Sequence, residues 1–165
     1  MMSDPPRVLL IGYGNPGRGD DGLGPALARA IAGGAAAGVT VEFPYQLQVE
    51  DAQTVAAHDL VVFADADAAA TASFTCRRLE PAGRPSWTTH ALAPAAVLAL
   101  ARDVFGATPP AFLIGVRGYV FDDFGEELSS RAQENLAAAV AWLTPRLRDP
   151  RATLLDPLAA SLTQG

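Results

Sequence analysis

The chain has 165 residues, half of them apolar and 18% charged, with a net charge of −6 and a pI near 4.7. One domain of this size buries about 70% of the surface its unfolded chain exposes, and the apolar fraction excludes intrinsic disorder as the main state. The acidic balance offers no basic patch for a phosphate backbone, so no nucleic-acid partner is expected.

Every basic residue is arginine. Without lysine there is no Walker-A phosphate loop, no Schiff base and no Ser–Lys dyad, each of which needs an amine. The single cysteine, Cys76, excludes an internal disulfide and any multi-thiolate zinc or iron–sulfur site. The opening residues lack the basic-then-apolar order of a secretory signal, and no run approaches the length of a membrane span, so a cytoplasmic protein with no membrane partner is expected.

In chain order, residues 7–11 form a continuous branched apolar run that stops at Gly12, and a helical stretch covers 22–37. Residues 39–43 alternate as a strand does, 51–57 read as a short helix, and 60–64 are again continuously apolar. A weaker alternating strand over 73–77 precedes a helix over 94–105 opened by Pro94, and a strand over 111–116 follows. The clearest helix spans 126–148, where Leu128, Ala132, Leu136, Val140, Leu143 and Leu147 recur at helical steps and Pro145 is expected to end or kink it. Continuous apolar strands alternating with helices predict an α/β sandwich over residues 1–150, with 151–165 as a C-terminal tail.

The chemistry concentrates where strands end. After the first run comes Gly12-Tyr13-Gly14-Asn15-Pro16-Gly17-Arg18-Gly19-Asp20-Asp21-Gly22-Leu23-Gly24. Gly12, Gly14 and Gly17 satisfy the dinucleotide fingerprint, with Glu42 closing the second strand, so a Rossmann-type nucleotide site is one reading. Against it, Asp20 and Asp21 stand where a pyrophosphate would sit, at the start of the helix. The plainest role for the pair is local: Asp20 caps the helix and Asp21 adds charge to its first turn.

The third run ends in Ala64-Asp65-Ala66-Asp67, which puts Asp65 just beyond the strand at the same sheet edge, unless it merely caps the following turn. His90 precedes a helix and is either a hydrogen-bonded structural residue or a ligand; His58, just before a strand, belongs to the opposite edge. Together Asp21, Asp65 and His90 would offer two oxygen donors and an imidazole, a set suited to zinc, nickel, iron or manganese. Cys76, beside Arg77 and Arg78 on a strand, reads as an inert, partly buried thiol.

The Gly-x-Gly-Asn and Asp-Asp-Gly-x-Gly block, the apolar run into Ala64-Asp65-Ala66 and the Thr88-Thr89-His90 segment resemble, in order and interval, the hydrogenase maturation endopeptidases. The likeness runs from residue 7 to 147. It implies a twisted, mostly parallel five-stranded sheet between helices, three layers in all. It also implies removal of the C-terminal extension from the large-subunit precursor of a nickel–iron hydrogenase after nickel insertion. The metal-contacting positions of that family match Asp21, Asp65 and His90; nickel would come with the precursor, and no organic cofactor is implied.

Two segments depart from the common pattern. An acidic turn after the second strand is replaced by 44–51, where Glu50 or Asp51 could still reach the cleft, and 115–119 replaces a Gly-x-x-Pro turn. Segments 45–51 and 117–119 are similar to the subgroup serving soluble, bidirectional or NAD-reducing hydrogenases. Arg117, read as a loop residue, either forks onto a substrate carboxylate or carbonyl or is a solvated charge. A monomeric peptidase is the expectation, with a non-catalytic assembly chaperone as its rival.

Overall fold

A computed structural model describes residues 4–34, 38–83 and 92–155. Strands β1 (Val8–Gly12), β2 (Val39–Glu42), β3 (Leu60–Asp67), β4 (Phe74–Leu79) and β5 (Ala111–Arg117) form one five-stranded sheet in the order β2-β1-β3-β5-β4. All neighbours run parallel except β4, which pairs antiparallel with β5 at the edge. Helices α1 (Leu23–Ala32) and α4 (Ser130–Arg148) contribute to the core on one face, α2 (Asp51–Ala56) and α3 (Pro94–Phe105) to the core on the other. The expected three-layer α/β sandwich is present.

Strand composition follows from this burial. All five residues of β1 and the first five of β3 are buried, because alternate side chains enter opposite cores. Val62 and Ala64 face the α1/α4 core; Val61 and Phe63 face the α2/α3 core. On α1, Leu23, Leu27 and Ile31 recur every four residues and all are buried. Contact between α1 and the sheet is made by glycine: a Cβ on Gly12 would overlap the Gly24 carbonyl, and a Cβ on Gly24 would overlap the carbonyl of Tyr13 and lie 2.6 Å from that of Ala64. The helix therefore crosses the strand ends at backbone distance.

Several element ends differ from expectation. β3 continues through Asp67, three residues past Ala64, so Asp65 lies inside the strand, paired with Gly115 of β5. Arg117 closes β5 rather than standing in a loop. A 3-10 turn over Gly19–Gly22 precedes α1, which stops at Ala32 before Gly33 and Gly34. α4 starts at Ser130, capped by the Ser129 hydroxyl, which accepts from the Ala132 amide.

α4 also runs through Pro145, which sits with Ala141 on the exposed side of the helix, where the bond a proline cannot donate costs least. Its buried stripe is Ala132, Asn135, Ala139, Leu143 and Leu147, with the expected Leu128, Leu136 and Val140 partly buried against the same core. Past Pro150 the packed domain continues: α5 (Pro150–Thr153) is capped by Asp149, and Leu154 is buried in the α1/α4 core.

Candidate functional site

The glycine-rich turn leaves β1 and folds on its own polar groups. Tyr13 donates its amide to the Ala64 carbonyl (3.1 Å) and Gly14, at φ +142°, donates to Pro44 (3.2 Å), tying the turn to both β3 and the loop after β2. The Asn15 amide donates to Asp21 Oδ2 (2.9 Å), and Asn15 Oδ1 accepts from the Gly17 amide (2.8 Å). The amides of Arg18, Gly19, Asp20 and Asp21 all donate to backbone carbonyls. No free array of amides faces a ligand here, and the helix begins only at Leu23. The three glycines thus shape a closed turn that lacks the phosphate cradle a nucleotide needs.

The two aspartates have different fates, and neither caps α1. Asp20 is fully buried. Its Oδ2 accepts from the amides of Tyr119 (2.7 Å) and Val120 (3.0 Å) and from the Ser129 hydroxyl (2.7 Å), while Oδ1 accepts from the Ser129 amide (2.7 Å). Burial works against its charge, but these bonds together hold the carboxyl below the usual carboxylate range. Asp20 is a clamp between the glycine turn and the β5–α4 loop. Asp21, half-buried, points the other way and lines a cleft of about 510 Å³ with Asn15, Arg18, Tyr45, Gln46 and Gln48.

Asp65 is half-buried at the end of β3, and its Oδ1 accepts from the Ala66 amide (2.8 Å). Burial pushes its carboxyl up to about 6, and the charges of Asp21 and Asp67 push the same way. A hydrogen bond from the Tyr13 hydroxyl and the Ala66 amide offset part of that rise. Tyr13 itself is pushed far up by burial and by Asp65. Asp21 and Asp65 thus come within electrostatic reach of one another at the C-terminal edge of the sheet, where open α/β sheets bind ligands. Capping of the turn after β3 falls to Asp67, which accepts from the amides of Ala69 and Ala70.

His90 lies outside the described residues. Among the described residues no group of three histidine, cysteine or carboxylate side chains is placed to hold a metal ion. Tyr13, Gln46 and Gln48 are absent from the sequence-derived site. Tyr13 could have been found from its place one residue past the buried strand; the glutamines carry no such signal. Neither Glu50 nor Asp51 lines the cleft: Asp51 accepts from the Gln48 amide (2.7 Å) and so shapes the loop. His58 stands at the opposite edge with Nδ1 on the Thr54 carbonyl (2.7 Å). Burial pushes the Cys76 thiol up to about 11, away from nucleophilic use.

With this geometry in hand, the solved structures of other proteins are informative. The NiFe hydrogenase maturation protease HycI of Thermococcus kodakarensis superposes with a TM-score of 0.68 at 23% identity, over 87% of this chain and 93% of that one. The hydrogenase maturating endopeptidase HybD of Escherichia coli gives 0.67 at 21% identity, over 87% and 93%. The endopeptidase HycI of E. coli gives 0.63 at 18% identity, over 84% and 90%. The chain has the fold of the hydrogenase maturation proteases. No protein-family model and no curated protein sequence matches it. Identities this low establish the maturation-protease fold; activity rests on the site. No described helix is long and apolar enough to cross a membrane.

Proposed function

We propose that this protein is a hydrogenase maturation endopeptidase, which removes the C-terminal extension of the nickel-loaded large-subunit precursor of a nickel–iron hydrogenase. One observation supports the reading beyond the fold: Asp65, at the C-terminal end of β3, is raised to about 6 by burial and feels the charge of Asp21, which lines a polar cleft. A carboxyl at that value takes up and releases a proton near neutrality, as a general base toward water must. The Tyr13 hydroxyl beside Asp65 favours its charged form and so offsets part of the rise. The amides of Gln46 and Gln48, on the cleft wall, suit an extended peptide backbone.

The nickel is the substrate's. Asp21, Asp65 and His90 are the contacts assigned to it, two oxygens and one nitrogen, an incomplete set that a loaded precursor would complete. Cleavage would then require finished metal insertion, with water attacking a scissile carbonyl polarised by that nickel, or with nickel only docking the substrate and Asp21 or Asp65, left unbound by it, accepting the proton of the attacking water. Segments 45–51 and 117–119 extend the reading to the subgroup serving soluble, bidirectional or NAD-reducing hydrogenases. A cytoplasmic monomer that meets its precursor directly completes it.

Intact mass spectrometry of nickel-loaded and nickel-free precursor, each incubated with the protein, tests this. Loss of a C-terminal segment from the loaded precursor alone is expected. Complex formation with no change in precursor mass would replace the peptidase with an assembly chaperone.

A further inference from the structure

A second cavity, about 380 Å³, opens where β3 and β5 end and α4 begins, and nothing in the proposed chemistry uses it. Two arginines line it around one ring: the guanidinium carbons of Arg117 and Arg131 lie 4.8 Å and 4.4 Å from the Tyr119 centroid. Both cations are attracted by the same π-face system and repel each other. Glu134 also lines the cavity, yet it lies beyond ion-pair distance of both, and among the described residues no carboxylate pairs with either arginine.

The arrangement is built from below. Asn135, 8% exposed, donates from Nδ2 to the Arg117 carbonyl and to the Tyr119 hydroxyl oxygen, both at 3.0 Å. Because that oxygen accepts, the phenolic proton remains to donate outward. Arg117 is fixed further by a hydrogen bond from its guanidinium to the Ala68 carbonyl and by its amide bond to Ser73 (3.0 Å). Two forked cations around a phenol that the buried Asn135 holds, neither of them ion-paired although Glu134 shares the lining, fit a planar bidentate anion.

We propose that this cavity is a carboxylate subsite that takes an acidic group of the peptide being cleaved. The assignment rests on the peptidase reading. Arg117 closes β5 opposite Asp67, two residues beyond Asp65 on β3, so both lie at the C-terminal end of the sheet; the cavity opens on the α4 side and Asp65, in step with Val61 and Phe63, belongs to the α2/α3 side. A peptide that reaches both therefore crosses the end of the sheet, and the carboxylate recognised stands apart from the scissile bond.

The test uses the full chain and the side-chain Nε–H resonances of Arg117 and Arg131. N-acetylglutamate N-methylamide carries a side-chain carboxylate, N-acetylalanine a C-terminal one; the glutamine analogue is the neutral control, and inorganic phosphate is the competing anion. Saturable shifts with a carboxylate probe, absent with the glutamine analogue, are expected, and the stronger of the two carboxylates names the source. Arg131→Gln, on an exposed helix position, should weaken that binding tenfold or more, and Arg131→Lys should recover only part of it. Equal shifts with the neutral analogue, undiminished binding in Arg131→Gln, or phosphate binding tenfold tighter than both carboxylates would each overturn the subsite. On the loaded precursor, Arg131→Gln should raise KM about tenfold and leave kcat within twofold. A fall in kcat at constant KM would contradict a subsite set apart from the chemistry. Carboxylate binding by a chain that cleaves no precursor would refute the peptidase reading and the peptide as ligand source, whereas intact processing without carboxylate binding would refute the subsite alone.

Discussion

Replacing Asp20 with asparagine isolates one buried charge. The carboxylate takes three donors on Oδ2 and one on Oδ1. Asparagine keeps the shape but has a single acceptor oxygen. Turned to serve Tyr119, Val120 and the Ser129 hydroxyl, its NH₂ meets the Ser129 amide head-on at a site now 2.7 Å wide. One charge-assisted bond is lost, a donor is left unpaired, and the other three bonds weaken. At about 1.5–3 kcal/mol for a bond to a charged group, and with losses that do not simply add, the expected cost is about 2–3 kcal/mol. For a domain of this size that lowers Tm by roughly 5–10 °C.

The pH dependence follows from the same bonds. A carboxyl depressed below its ordinary 3.8 contributes stability that is present above that pH and lost as pH falls through the depressed value. The difference between parent and Asp20→Asn should therefore be full at pH 7 and shrink below about pH 4. Urea unfolding across that range measures it, and hydrogen exchange should show the Val120 amide losing protection first. Equal stability of parent and variant at pH 7, within about 0.5 kcal/mol, would refute the clamp.

Asp21→Ala, Asp65→Ala and His90→Ala should each abolish precursor processing with the fold retained, while His58→Ala should process normally; full activity in the Asp21 variant would remove it from the site. Asp65→Asn should be inactive yet about 1–3 kcal/mol more stable at pH 7, because a carboxyl raised from 3.8 to about 6 costs folding energy once pH exceeds that value; equal denaturation midpoints at pH 7 would count against the raised carboxyl. Processing should rise with pH through about 6, and Tyr13→Phe should move that midpoint upward by removing a hydrogen bond that favours the charged form; an unmoved pH–rate profile would release Tyr13 from the role. Gly24→Ala should unfold the domain or cost more than about 3 kcal/mol, since its Cβ would overlap backbone carbonyls that have no room to yield; thermal melting decides it.

The layers of this fold were legible because buried strands are written as continuous apolar runs, and both β1 and the first five residues of β3 are such runs. The last three residues of β3 were not, because Asp65 and Asp67 break the apolar pattern. They stay in the ladder through pairing with Gly115 and Arg117, partners about fifty residues away that no local reading contains. The start of α4 was misplaced for a related reason. Residues 126–129 have helical composition, but Ser129 is held by Asp20 across 109 positions and so becomes the cap. Asp65 could be singled out from its place where an apolar run ends, and Asp21 from the acidic start of the helix after the glycine turn. The tie of that turn to β3, through the Tyr13 amide on the Ala64 carbonyl, goes with the close glycine packing of α1 on the sheet, which no local reading contains.

That contact explains why two adjacent aspartates can do opposite work. In a helix, Asp20 and Asp21 would project about 100° apart from one surface and compete for the same amides. The 3-10 turn over Gly19–Gly22 instead drives Asp20 inward beneath the β5–α4 loop and turns Asp21 out toward the cleft. Gly19 makes this possible at φ +56°, a left-handed conformation that favours glycine, and its amide is tied to the Gly125 carbonyl at 2.9 Å. The buried acid thereby secures the loop that begins at Tyr119, the ring on which Arg117 and Arg131 converge, while its neighbour lines the cleft. A change at Asp20 should consequently be felt at both places, as reduced stability and as a looser anion cavity, even though its own carboxylate touches neither the cleft nor the cavity.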